Sequence, residues 1–272
     1  MKIFISADME GISGVVSMEQ IEPGARDYER ARRMMTREVN AVVEAALECG
    51  ASEIVVNDSH DNMDNILIEE LNPKAVLISG SPKPFSMMQG IDESFDAAFF
   101  VGYHARAGTG KAVIDHTYAF RVLSARINGK PMSEAGINGR LAGCFGVPVA
   151  FVSGDQNAVA CAKEELNGPV GVAVKSAVGR NAAVIYPFGV VKQKLRQGVQ
   201  EAMKNLKSIK PTVENGPVEL EVSFSISGMA DMAMLIPGTS RKDGRTVVYT
   251  ATDYMEAFKA FRAMLALSHG IR

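Results

Sequence analysis

Charge of one dominant sign, paired cysteines and long apolar runs are all missing from this sequence. Its 272 residues carry 29 Lys+Arg against 31 Asp+Glu. No long-range field therefore draws the chain toward nucleic acid or a membrane surface, and a small-molecule partner is expected. Cys49, Cys144 and Cys161 are widely spaced and form no CxxC pair, which argues against a disulfide framework or a cysteine zinc cluster and fits a reducing compartment. No stretch approaches the roughly 20 apolar residues needed to cross a bilayer. The opening run Lys2-Ile3-Phe4-Ile5-Ser6 lacks the basic and apolar regions of a signal peptide, so a soluble, cytoplasmic protein is the expectation. Phosphate-loop signatures are absent too. Gly11-Ile12-Ser13-Gly14 matches neither GxGxxG nor the Walker pattern, and Asp8 and Glu10 before it would repel phosphate unless a metal intervened.

What is present is an alternation of short β-branched runs with longer helical patterns, the mark of βαβ units around a mostly parallel sheet. Residues 2–7 read as the first strand, Ile54-Val55-Val56 as the second, Val76-Leu77-Ile78 as the third and Ala97 to Gly102 as a central fourth. From Asp27 to Cys49 apolar residues recur at helical spacing, and Gly50 can end that helix in a left-handed conformation. Ala112–Tyr118 and Val122–Ile127 suggest antiparallel strands, with a tight turn at Asn128-Gly129. A helix over Glu134–Phe145 is stopped by Gly146, a buried strand follows at Val147–Val152, and Asp155 is placed to cap the next helix. After about residue 180 comes a helix over Val190–Leu206, a Pro-containing link, then strand, short helix, strand and helix. The expected architecture is α/β: an N-terminal mostly parallel sheet flanked by helices over 1–180, and a smaller C-terminal α+β domain over 181–272.

Only four histidines occur. His60 and His104 each follow a predicted strand, and His116 lies on the predicted antiparallel excursion. In open α/β sheets ligands gather beyond the carboxyl ends of strands, so residues shown there by different strands can converge. Asp8 and Glu10 leave the first strand on one face, with Gly11 allowing a tight departure. Two neighbouring carboxylates need a cation, a proton or water between them. Added to the strand-end imidazoles of His60 and His104, they make a mixed donor set suited to zinc, with manganese or cobalt as weaker competitors. Each residue also has an ordinary reading: a solvated carboxylate pair, a hydrogen-bonded strand-end histidine, a structural strand histidine at 116. Glu134 opens a helix, where the dipole alone favours a carboxylate, and the sequence does not choose it over Glu164 or Glu165. Asp115 beside His116 points to the opposite face if that segment is extended.

The motifs SADMEGISG at 6–14, VNDSHDNM at 56–63, LISGSPKPFSM at 77–87, GYHARA at 102–107 and EAGIN at 134–138 resemble the D-aminopeptidase family of zinc peptidases related to the Bacillus dipeptide-transport-operon D-aminopeptidase. The resemblance runs through nearly the whole chain. It implies Asp8, Glu10, His60, His104 and Glu134 as ligands of two zinc ions per subunit, Asp8 as their bridge, and His116 as the catalytic histidine. It also implies hydrolysis of short peptides with a free N-terminal amine, D-alanyl-D-alanine among them, and a homo-oligomer, a decamer of stacked rings with sites facing an internal channel.

In that chemistry the metal pair binds the α-amine and scissile carbonyl and activates water, while His116 moves protons to the leaving amine. Two other functions share the donor set. A two-metal phosphoesterase would need a cationic clamp, for which Arg106 is the nearby candidate; a metal-stabilised peptide-binding protein would show no turnover. Asp58 and Asp61 are candidates to orient His60.

Overall fold

The computed structural model describes residues 1–271, and its frame follows from where the apolar runs fall. In chain order, Lys2–Ala7 forms β1, Tyr28–Glu48 α1, Glu53–Asp58 β2, Ala75–Ile78 β3 and Ala97–Tyr103 β4. Val122–Ile127 forms β5, Lys130–Pro131 β6, Glu134–Cys144 α2, Val149–Asp155 β7 and Gln156–Glu165 α3. Val170–Gly179 (β8), Ala182–Ile185 (β9) and Phe188–Asn205 (α4) follow, then Val218–Phe224 (β10), Ser227–Ala233 (α5), Thr239–Arg241 (β11), Thr246–Ala251 (β12) and Tyr254–Ser268 (α6).

The larger sheet has the order β3-β2-β1-β4-β7-β8-β9. Its strands run parallel except β9, which returns antiparallel to β8. Every residue of β4 is buried, as expected for a strand covered on both faces. The pleat sends Ile3 and Ile5 to one side with Met35, Val39 and Val42 of α1 and Leu195 and Val199 of α4. Phe4 and Phe100 go to the other side, with Leu141 of α2, Phe258 and Phe261 of α6 and Leu220 and Val222 of β10. Each such side chain contributes roughly 1.5–3 kcal/mol by leaving water.

The smaller sheet is antiparallel, in the order β11-β12-β10-β5-β6. The boundary expected near residue 180 falls in the turn between β8 and β9, and this sheet takes strands from both sides of it. α4, beyond that point, packs on the larger sheet beside α1.

Local signals behave as their chemistry dictates. Gly50 and Gly146 end their helices at φ +92 and +73. Asn128 and Gly129 turn at φ +50 and +75, the paired left-handed geometry of a tight hairpin. Asp155 accepts from the amides of Asn157 and Ala158 and caps α3. The expected strand over 112–118 is corrected: the segment is a loop with one isolated bridge and left-handed backbone at Lys111, Ile114 and Tyr118. Val113 and Ile114 are fully buried there, so core packing of a loop produced the apolar pattern that suggests a strand.

Candidate metal centre

β1 lies between β2 and β4 although the chain visits β2 and β3 before β4, so the strand order reverses beside β1 and leaves a crevice beyond the strand ends. Asp8 and Glu10 follow β1, His60 follows β2, and His104 follows β4 directly. The loop over 112–118 carries His116 into the same crevice, and Glu134, the first residue of α2, enters from the side, with Ser133 capping that helix. All six are buried or nearly so, and the structure brings them together. The imidazole Nδ1 of His60 lies 3.0 Å from Glu10 Oε2 and 3.4 Å from Asp8 Oδ1. His104 Nε2 lies 3.5 Å from Asp8 Oδ2 and 3.1 Å from Glu134 Oε1. His116 Nε2 stands further off, 3.8 Å from Glu10 Oε1 and 3.6 Å from Glu134 Oε1.

The outward nitrogen of each ring meets a main-chain carbonyl. His60 Nε2 is 2.8 Å from Ile21 O, His104 Nδ1 3.1 Å from Ala105 O, and His116 Nδ1 2.9 Å from Ile114 O. A carbonyl accepts only, so each of these nitrogens carries a proton, and the other nitrogen of each ring, Nδ1 of His60 and Nε2 of His104 and His116, faces the carboxylates as the atom that would ligate a metal. Asp8 Oδ2 and His104 Nε2 are buried without a hydrogen bond; their mutual approach and that of Glu134 are close but misaligned for one. Donor atoms of Asp8, Glu10 and His104 lie within 4.8 Å of one another, and so do those of His104, His116 and Glu134. Imidazole nitrogens and carboxylate oxygens drawn together this closely, with Asp8 Oδ2 and His104 Nε2 unpartnered among them, fit a divalent cation with mixed nitrogen and oxygen ligands.

The electrostatics say the same. Burial and the Glu10 charge push the Asp8 carboxyl up to about 8. Burial opposes charge on His104, but Glu134 outweighs it and raises the imidazole to about 10. His60 is likewise raised well above its usual range, burial being overcome by Glu10. Burial works to raise Glu10 and Glu134, yet the His60 charge holds the first well below the usual carboxylate range, and the His104 charge lowers the second. The cluster therefore demands positive charge, which protons supply in place of a metal. His116 differs: burial, then the cationic His104 stacked on it with ring centroids 3.9 Å apart, lowers its pKa.

The neighbours sort the remaining candidates. Glu165 accepts from the amide and hydroxyl of Ser133 and pairs with Arg106, which also holds Glu164; of the three glutamates only Glu134 faces the cluster. Arg106 is thus committed away from any phosphate. Asp115 pairs with Arg180 and accepts from the Gly108 amide, turned from His116. Asp58 accepts from the amides of Asn65 and Ile66 and closes the loop carrying His60, orienting it through the backbone, while Asp61 lines the cavity above the cluster.

Lys175 is a residue the sequence reasoning missed. Fully buried on β8, it donates to the carbonyls of Glu10, Ile12 and Val15. Burial brings its amine down to about 8. The available signal was a lone lysine in the run VGVAVKSAVG, since lysine is almost never fully buried unpaired. Tyr118 also went unnoticed; its amide donates to Glu134 Oε1 at 2.6 Å. Gly11 was singled out for another reason than the one it serves. Its φ is not left-handed; an added Cβ would lie 2.0 Å from Tyr103 O, so the residue lets the ends of β1 and β4 touch.

A cavity of about 570 Å³ opens on the cluster, and one of about 470 Å³ adjoins it, with His116 and Phe120 lining both. Among the described residues no helix is long and apolar enough to cross a membrane. The D-aminopeptidase of Bacillus subtilis (strain 168) is 39% identical over 269 residues, covering 98% of each chain. A solved structure described as Zn-dependent D-aminopeptidase DppA from Bacillus subtilis, a self-compartmentalizing protease, superposes with a TM-score of 0.97 at 39% identity, covering 100% of this chain and 99% of that one. The family profile for D-aminopeptidases matches residues 1–263. This chain belongs to the D-aminopeptidase family.

Proposed function

We propose that this protein is a zinc-dependent aminopeptidase that removes the N-terminal residue from short peptides, D-residue peptides such as D-alanyl-D-alanine included. The observation that carries the proposal is the convergence of Asp8, Glu10 and His104, and of His104, His116 and Glu134, on two donor groups that share His104, with the His60 imidazole set against Glu10 and Asp8. Asp8, Glu10, His60, His104 and Glu134 would hold two zinc ions per subunit, whose four positive charges offset three carboxylates. Zinc bound there would polarise the scissile carbonyl and bring the pKa of bound water toward about 7.

His116 suits the acid/base role. It stands farthest from the carboxylates, is neutral near pH 7 with Nε2 facing the cavity, and so can take a proton and return it to the leaving amine. Its Nδ1–H, tied to Ile114 O, fixes which nitrogen does so. The Tyr118 amide holds Glu134 in place. With Arg106 occupied by two glutamates, phosphoester cleavage gains no support. Self-association follows from the same reading, since the DppA relative is described as self-compartmentalizing; the decamer is its expected form.

Offering the zinc-loaded protein paired D- and L-alanyl dipeptides, with a chelator control, tests this function. Cleavage of the D-peptides that the chelator abolishes is expected. Equal rates on both series remove the D-preference, and indifference to the chelator removes the metal.

A further inference from the structure

The cavity that reaches the metal centre is also walled by α6, and there its charge reverses. Arg262 lines it together with Arg121, Leu265, Ala266 and His269. Arg121 is committed: it donates from Nε to Ser268 Oγ at 3.0 Å and from Nη2 to Leu265 O at 2.8 Å, fastening the end of α6. Arg262 is not. Half-buried, it rests over the Tyr118 ring, 5.7 Å from its centroid, and no carboxylate of the described residues pairs with it. Burial, then the nearby Arg262 charge, lowers the Arg121 guanidinium, so two like charges share this wall without an acid between them. Tyr118 links the wall to the centre, because its amide donates to Glu134 Oε1 at 2.6 Å. The loops after β1 and β2 contribute Glu22 and Asp61 to the same cavity, which disfavours an anion on that side and leaves α6 as its seat.

We propose that Arg262 binds the C-terminal carboxylate of the substrate, making the protein selective for peptides of two or three residues. The inference rests on the hydrolytic reading above. A short peptide carries an amine at one end and a carboxylate at the other; with the amine end at the metal centre, as the hydrolytic reading requires, the same cavity offers the carboxylate a guanidinium on α6. An extended peptide spans at most about 3.3–3.6 Å per residue, so two or three residues cover roughly 7–11 Å. The cavity volume of about 570 Å³ lies in the range that encloses a small ligand. A guanidinium presents a rigid fork that matches a carboxylate with two parallel hydrogen bonds, which an ammonium does not. A long polypeptide has no carboxylate at that depth and leaves Arg262 unsatisfied.

The test compares D-alanyl-D-alanine with its C-terminal amide, using the zinc-loaded full chain as wild type, Arg262→Met and Arg262→Lys. Wild type is expected to prefer the free acid in kcat/KM by roughly 10- to 100-fold, mainly through KM. The preference falls to about one in Arg262→Met and to an intermediate value in Arg262→Lys. Calorimetric binding of the same two peptides to zinc-loaded His116→Ala, with and without Arg262→Met, gives the ratio without turnover. Even if the hydrolytic reading fails on the chelator control, that binding ratio still decides the Arg262 proposal. Equal handling of acid and amide by wild type overturns it. So does an Arg262→Met protein, folded by circular dichroism and loaded with zinc, that loses both peptides by the same factor.

Discussion

Replacing Gly11 by alanine would force apart the two strand ends that carry most of the centre. The added Cβ would sit 2.0 Å from Tyr103 O and 2.4 Å from the Gly102 carbonyl carbon. Those are backbone atoms and cannot rotate away. Restoring a contact of about 3.5 Å requires the two backbones to part by roughly 1.5 Å. Glu10 precedes Gly11 and His104 follows Tyr103, so the displacement passes into two residues of one donor group. Metal sites tolerate about 0.2 Å in ligand distance, and disturbing groups that merely support the ligands costs about 10–100-fold in affinity. Zinc affinity should therefore fall by about 100-fold or more, while overpacking lowers stability by about 1–3 kcal/mol. Competition with a chromophoric chelator measures the first, denaturant unfolding the second, with Gly244→Ala as control because its Cβ would meet nothing within 4 Å. A folded Gly11→Ala protein binding zinc within about threefold of wild type would refute the reasoning.

Two further outcomes are expected. His116→Ala should lower turnover by about 100- to 10,000-fold with zinc content unchanged; loss of zinc as well would make His116 a ligand. Glu38 is buried, its Oε1 accepts from the Ser13 amide at 2.8 Å, and its Oε2 has no partner. Burial raises its carboxyl above the ordinary 4.5, so on raising the pH the unfolded chain releases this proton first, and stability falls from pH 4.5 upward through the folded pKa. Glu38→Gln removes that loss and should be more stable at pH 7 by on the order of 1 kcal/mol; equal pH slopes in denaturant unfolding of the two proteins would contradict this.

Much of the fold was legible because its strongest signals are local. The unbroken apolar run of β4, the helical spacing of α1 and the left-handed turn at Asn128-Gly129 each follow from a few neighbouring residues. The convergence of Asp8, Glu10, His60 and His104 was legible for a topological reason, since residues just past parallel strands share one edge of the sheet. What escaped depended on distant partners. Three non-glycine residues with left-handed backbone around His116 carry no sequence mark. Glu134 separates from Glu165 only when Ser133 and Arg106 are seen holding the latter. Arg262 looks like any helix-surface cation until the cavity beneath it is known. β8 went unread because Lys175 interrupts its apolar run.

That lysine also fixes how the site can move. Tied through three carbonyls between Glu10 and Val15 to β8 of the larger sheet, the loop after β1 cannot swing open without withdrawing a fully buried ammonium. It is the floor of the site, not a lid. Peptides of different shape therefore meet a fixed floor, and differences in fit are set where Tyr118 and the last turns of α6 wall the cavity.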